Sequence, residues 1–246
     1  MKIDIEQDKQ KIRNFLNQPF SYLAKSSRCK VYISEDQQYV LKTFKSPSEI
    51  NQQFKKFGID LGRVDWSPSP GSAYKSAKLM YNETQKSSKL AFNELKQETG
   101  LIYLHLNKTK YLQLRILIDQ REVELDNLRF VLQYKVALLG EVLITHLHKN
   151  EMVKVKVLLN DLVIFIQNLW SKGVTEDTFN FHDNYGVLNS KIVQIDIGEL
   201  HKDQAMIELE KQAQKLLKKE SFQWFKEQSP MLSKYLTKIA ETILYK

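Results

Sequence analysis

The 246-residue sequence predicts an α+β fold in two parts, strand-rich to about residue 135 and helical beyond it. Short alternating apolar runs recur between Phe20 and Phe44, and again over residues 112–118 and 128–132. The stretch 152–170 is apolar nearly all round at helical length. Gln133-Tyr134-Lys135 separates these two kinds of pattern and reads as a hinge.

Composition bounds the classes open to the chain. Apolar content of 42% and charged content of 27% are ordinary for a globular protein with a real core. The one cysteine, Cys29, excludes an intramolecular disulfide and fits a reducing, cytoplasmic compartment. The first residues, Met1-Lys-Ile-Asp-Ile-Glu6, hold no apolar signal core, and no apolar run of membrane-spanning length exists. A net charge of +8 suits phosphate-rich ligands, nucleic acid or anionic lipid without choosing among them.

Taken in order, residues 1–17 form a short amphipathic helix with Ile12, Phe15 and Leu16 on one side. Tyr22, Val31, Ile33, Tyr39, Leu41 and Phe44 place a three-stranded meander next, turned at Glu35-Asp36-Gln37-Gln38. Lys42 lies in its last strand. As a lone lysine it reads as a solvated edge residue; in a phosphate-binding fold it reads as the strand cation that holds a nucleotide. Breaks at Ser46-Pro47-Ser48 and Ser67-Pro68-Ser69-Pro70-Gly71 bound an insertion over about 46–72, with a short helix at 49–57 and Trp66 before the second break.

A long helix follows, from about 73 to 98, with Leu79, Met80, Leu90, Ala91 and Leu95 on its apolar side. Glu94 and Glu98 are four apart and would share a face of it. Residues 101–106 are apolar enough for the core, and His105 reads as a core or capping histidine. Strands at 112–118 and 128–132, joined by the polar stretch 119–127, complete a sheet of about five strands.

The second part opens with helices at 136–148 and 152–170, the latter a buried spine closed by Gly173. Then come Glu176, Asp177 and Asn184, a β-type run at 192–195, and Asp196-Ile197-Gly198. An amide and a carboxylate on opposite sides of such a hairpin can share one Mg²⁺ on a nucleotide phosphate, although Asp-x-Gly is also ordinary turn chemistry. Helices at 205–218 and 231–244 end the chain, with Phe222, Trp224 and Phe225 between them.

This order resembles the two-lobed protein-kinase-like fold, from about Phe20 to Leu200, with a five-stranded N-lobe sheet and a reduced helical C-lobe. Val40-Leu41-Lys42 looks like the strand-lysine motif, Glu98 or Glu94 like its helix partner, and 128–135 like the fifth strand and hinge. Asn184 looks like the catalytic-loop asparagine and Asp196-Ile197-Gly198 like the metal aspartate motif. The runs 98–109 and Asn184-Tyr185-Gly186 are also similar to small kinase-like proteins of intracellular bacteria. The resemblance implies an N-terminal helix at 1–19, an N-lobe at 20–135 and a C-lobe at 136–246. It implies ATP with Mg²⁺ or Mn²⁺ as cofactor, a protein or small molecule as acceptor, and delivery into a host cell as an alternative to the bacterial cytoplasm.

The departures are specific. The turn Ala24-Lys25-Ser26-Ser27-Arg28-Cys29-Lys30 has no glycine to bring backbone N–H groups onto a phosphate. Phe179 stands where the catalytic base belongs, which leaves Asp177 as the candidate base. Only 48 residues follow Gly198, and no Ala-Pro-Glu motif is among them. The resemblance therefore implies either an atypical kinase or a pseudokinase that serves as a binding module. A third expectation, nucleic-acid or anionic-lipid binding through the tail lysines (Lys211, Lys215, Lys218, Lys219, Lys226, Lys234, Lys238), is weakened by the glutamates between them.

Overall fold

A computed structural model describes residues 5–57, 72–176, 178, 180–208, 211 and 219–244. Two compact units divide the chain: Met1–Asn93 with Leu101–Lys135, and Glu94–Gly100 with Val136–Lys246.

In the first unit, helix α1 (Ile5–Leu16) precedes the meander β1 (Phe20–Lys25), β2 (Cys29–Ser34) and β3 (Tyr39–Phe44). The β2–β3 turn falls on the expected polar residues. Ser34 Oγ donates to Asp36 Oδ1 at 2.6 Å and accepts from Tyr39 N at 2.9 Å, which closes the turn. Helix α2 (Pro47–Phe57) starts with a capping box, Ser46-Pro47-Ser48-Glu49. Ser46 N donates to Glu49 Oε2 at 2.8 Å, and Glu49 N returns a bond to Ser46 Oγ at 3.3 Å. The expected second break at 67–71, with Trp66, lies outside the described residues.

Helix α3 (Ser72–Glu94) is shorter than expected; of its expected apolar side Ala91 is buried, Met80 and Leu90 are half-buried, and Leu95 is buried just past its end. Leu79 is exposed, while Ala77, Thr84, Ser87, Ser88, Ala91 and Leu95 are buried. Small side chains make that face compatible with close packing. Thr84 Oγ1 donates to Met80 O at 2.8 Å and Ser88 Oγ to Thr84 O at 2.7 Å, so these hydroxyls carry their own acceptors into the interior.

The sheet has seven strands rather than five. With β4 (Leu101–His105), β5 (Arg115–Ile118), β6 (Arg121–Glu124) and β7 (Phe130–Tyr134), its order is β4-β7-β3-β2-β1-β5-β6. The run 101–106 is therefore a strand, and the polar connection 119–127 contains another. Every residue of β6 is at least partly exposed, so the strand carries no buried stripe to announce it. Its turn, Asp119-Gln120, has positive φ at both residues (47° and 63°), as a type I′ hairpin requires. Leu41, Phe130, Leu132, Ile116, Ile118 and Phe20 form one core with Ile12 and Leu16 of α1.

The second unit begins with β8 (Ala137–Leu138), then α4 (Leu139–His148) and α5 (Met152–Ser171). Leu159, Leu162, Val163, Ile166 and Trp170 of α5 anchor the core with Leu143, Phe181, Tyr185 and Leu236. The expectation of burial nearly all round is corrected: Val153 is 77% exposed, and Val157 and Ile164 are exposed as well. After β9 (Val174–Thr175) and the single turn α6 (Phe181–Asn184) comes the hairpin β10 (Tyr185–Leu188) and β11 (Lys191–Gln194). Asn189 and Ser190 form its tip with φ of 49° and 62°. β10 lies between β11 and β8, and β12 (His201–Lys202) pairs with β9. Phe222, Trp224 and Phe225 fall within α7 (Lys219–Gln228) rather than between helices, and α8 (Pro230–Leu244) follows. Most of the expected helix at 205–218 lies outside the described residues. Among the described residues no helix is long and apolar enough to cross a membrane.

Candidate functional site

The residues singled out by sequence divide between the two units. In the first, Lys42 sits in the middle of β3, facing Val31 on β2 and Val131 on β7 across the ladder, and its side chain is half-buried.

The glycine-free turn between β1 and β2 has a definite solution. Ser26 N donates to Cys29 O at 2.9 Å, and Ser26 Oγ accepts from Arg28 N at 3.2 Å and Cys29 N at 3.0 Å. Lys45 Nζ donates to Ser26 O from the other side. Three backbone donors that a phosphate cradle would aim outward are spent inside the turn. A serine standing where a glycine was missed thus signals a self-bonded turn, which the sequence alone did not reveal.

Helix α3 stops at Glu94, so Glu94 and Glu98, both of the second unit, do not share a helical face. Each carboxylate meets a lysine close by: Glu94 pairs with Lys202, and Glu98 with Lys172. Glu98 O also accepts Gln194 N at 2.9 Å, which ties the turn after α3 to β11.

Asn184 and Asp196 are brought together at the open end of the β10–β11 hairpin. The register pairs Tyr185 with Gln194, so Asn184 stands opposite Ile195, one residue before Asp196. Asn184 O accepts from Ile195 N at 2.8 Å and from Asp196 N at 3.4 Å. The Asn184 amide nitrogen donates to Glu176 Oε2 at 3.3 Å and to Thr178 O at 3.4 Å, which turns its oxygen away from Glu176. Asp196 Oδ1 accepts Gly198 N at 2.9 Å. Among the described residues, the Asn184 amide oxygen and the second Asp196 carboxylate oxygen have no hydrogen-bond partner. Such hard, oxygen-only donors suit Mg²⁺ or Mn²⁺, which keep water and phosphate oxygens in their remaining positions. No cluster of three or more His, Cys, Asp or Glu side chains able to hold a metal occurs among the described residues.

Asp177 and Phe179 lie outside the described residues. Their neighbour Glu176 is 2% exposed and accepts the Tyr185 hydroxyl at 2.7 Å as well as the Asn184 amide. Burial pushes its carboxyl up to about 8, and the nearby charges of Asp196 and Glu199 add to that, against the two hydrogen bonds. Burial likewise raises the Tyr185 phenol. In sequence Glu176 appeared only as a neighbour of Asp177. The signal for its burial is its place directly after the inward-facing pair Val174-Thr175, where the chain is still passing through the core.

No family model and no curated protein matches the sequence. Two solved structures are similar to it in chain trace. One is the co-crystal structure of WbdD and the kinase inhibitor LY294002, with a TM-score of 0.44 and 11% identity over 91% of this chain and 45% of that one. The other is the complex of Rv3197 and erythromycin from Mycobacterium tuberculosis, with a TM-score of 0.42 and 11% identity over 96% of this chain and 60% of that one. The chain thus spans about half the length of each of these proteins.

Proposed function

We propose that the protein is a kinase-like, metal-dependent nucleotide-binding protein, with Asn184 and Asp196 as the residues that hold the cation of a metal–ATP complex. One observation carries the proposal: the backbones of Asn184 and Asp196 are joined at the open end of one hairpin through Asn184 O, and each side chain keeps one oxygen without a partner among the described residues. The strand order supports it. A meander β1-β2-β3 is followed by β7 beside β3 and β4 beyond β7, with α2 and α3 inserted between β3 and β4. Lys42 retains the phosphate-holding role that the resemblance gives it, and Asp177 the role of base, in phosphoryl transfer to a protein or small-molecule acceptor.

The second reading, a pseudokinase acting as a binding module, is favoured by the β1–β2 turn. Its backbone donors are engaged within the turn, so phosphates would rely on side-chain cations. The lysines that occupy Glu94 and Glu98 point the same way, because neither carboxylate is held in reserve.

A thermal-shift titration with ATP and Mg²⁺ or Mn²⁺ tests the common part. The melting temperature should rise with nucleotide only when metal is present, and the rise should vanish in Asp196→Ala. No shift at millimolar ATP sinks the kinase reading and leaves only a binding module that does not use nucleotide. A labelled-phosphate self-transfer assay then separates them: transfer lost in Asp177→Ala and Lys42→Ala supports the enzyme, and no transfer by the wild type supports the binding module.

A further inference from the structure

The first unit carries a cleft of about 520 Å³ that the nucleotide reading does not use. Lys30 and Tyr32 of β2, Thr43 of β3, and Lys45 just past its end form one wall. Ile118, Arg121 and Val123 of the β5–β6 hairpin, with Leu128, form the other. Side chains alternate along a strand, so Thr43 points to the face opposite Lys42. The register agrees, pairing Thr43 with Lys30 and Lys42 with Val31.

Lys45 is the unusual member. It is 6% exposed, and its ammonium donates to Ser26 O and, at 2.7 Å, to Gln53 Oε1. Both acceptors are neutral. Among the described residues its third proton has no acceptor, and no carboxylate lies within ion-pairing distance. A buried ammonium without an ion-paired carboxylate is costly, and burial lowers the Lys45 pKa, helped by the nearby Lys25 and Lys30 and against the charges of Cys29 and Glu49.

The acids around the cleft are engaged by other donors. Glu49 is taken by Lys30 at 3.0 Å and by the Ser46 backbone at 2.8 Å. Asp119 accepts Tyr22 N at 2.7 Å. Arg121 forms no ion pair among the described residues, and the Tyr32 and Thr43 hydroxyls have no hydrogen-bond partner there. Three cations against two engaged carboxylates, two unused hydroxyls and an apolar wall make an amphipathic site of small-ligand dimensions.

We propose that this cleft binds a small organic anion, with its phosphate or carboxylate held by Lys45, Arg121 and the Thr43 hydroxyl and its apolar body lying over Ile118, Val123 and Leu128. The proposal does not depend on the nucleotide reading, because it concerns the opposite face of β3.

Calorimetric titration of the full chain with phenyl phosphate, benzoate and inorganic phosphate, in EDTA, tests it. Phenyl phosphate or benzoate should bind saturably at one site and more tightly than inorganic phosphate, and the preferred member of the pair identifies the head group. Arg121→Ala removes an exposed charge without disturbing the fold and should weaken binding about tenfold, the effect of losing one charge-assisted contact. Lys45→Met, checked for folding by circular dichroism, should abolish it. Saturation by none of the probes, or unchanged affinity in Arg121→Ala, overturns the proposal. So does binding that appears only with Mg²⁺, which would transfer the anion to the metal–nucleotide reading.

Discussion

Asp126 and Glu176 are both buried acids, one in each unit, and they end in opposite states. Asp126 is 4% exposed in a 3-10 turn, Leu125–Asn127, and accepts Leu112 N at 3.1 Å, Gln113 N at 2.7 Å and the Thr109 hydroxyl. His105 stands behind Thr109, with Nε2 at 3.1 Å from its oxygen and Nδ1 donating to Leu128 O at 2.6 Å. Burial alone would raise the Asp126 carboxyl, but these donors and the histidine outweigh it and hold its pKa low. Glu176 has one hydroxyl and one amide as donors and two further carboxylates, Asp196 and Glu199, nearby. Burial and like charge win there. Similarly low exposure thus accompanies a charged structural anchor in one unit and, where the carboxyl lies far deeper and has fewer donors, a proton-holding group beside the candidate cation site in the other.

The comparison breaks most visibly at Asp126. Asp126→Ala takes the acceptor from the buried Leu112 N–H and from the part-buried Gln113 N–H and Thr109 hydroxyl, and should cost about 2–3 kcal/mol in urea unfolding. A loss below about 1 kcal/mol would mean that the loop re-satisfies its donors and that Asp126 is no anchor.

Next comes the pH dependence, where the two acids predict opposite slopes. The folded pKa of Asp126 is depressed, so its contribution is present above the unfolded value of 3.8 and is lost as pH falls. The folded pKa of Glu176 is raised, so its contribution is whole below 4.5 and declines as pH rises through about 8. Metal-free protein should therefore lose roughly 2–4 kcal/mol of stability across that upper window. Glu176→Gln should flatten the decline. A decline of the same size in that variant would assign it to other groups.

A smaller effect separates burial from like charge at Glu176. Asp196→Asn removes one neighbouring carboxylate and should lower the Glu176 pKa, followed by carboxyl NMR, while leaving it above the ordinary glutamate range because burial is the larger cause. A return to that ordinary range would reverse the ranking. The smallest effect is expected for Thr109→Val, which removes one donor of several to Asp126 and should cost about 1 kcal/mol.

Local chemistry was legible wherever the chain reports on itself. The polar turn at 35–38, the meander around it and the hairpin that brings Asn184 near Asp196 all follow from short-range alternation and turn residues. Strand β6 was not legible, because an edge strand exposed throughout has no apolar period to read. The polar members of the buried side of α3 were missed for a related reason. Hydrophobicity pointed to Leu79, whereas size and back-bonded hydroxyls buried Thr84 and Ser88.

The sequence by itself determined the strand-then-helix order, Lys42 in the middle of a strand, and the approach of Asn184 to Asp196. Each depends on residues a few positions apart or on periodicity, which short-range sterics and hydrogen bonds dictate. Only the tertiary structure decided which cation each carboxylate meets. Lys202 reaches Glu94 and Lys172 reaches Glu98 across 108 and 74 positions of chain. It alone also decided that Ser26 spends its turn's donors internally, that Lys45 is buried without an ion-paired carboxylate, and that Glu176 rather than Asp126 keeps a proton. Those outcomes depend on the donors and charges that long-range packing brings to one buried atom, and a linear pattern does not carry them.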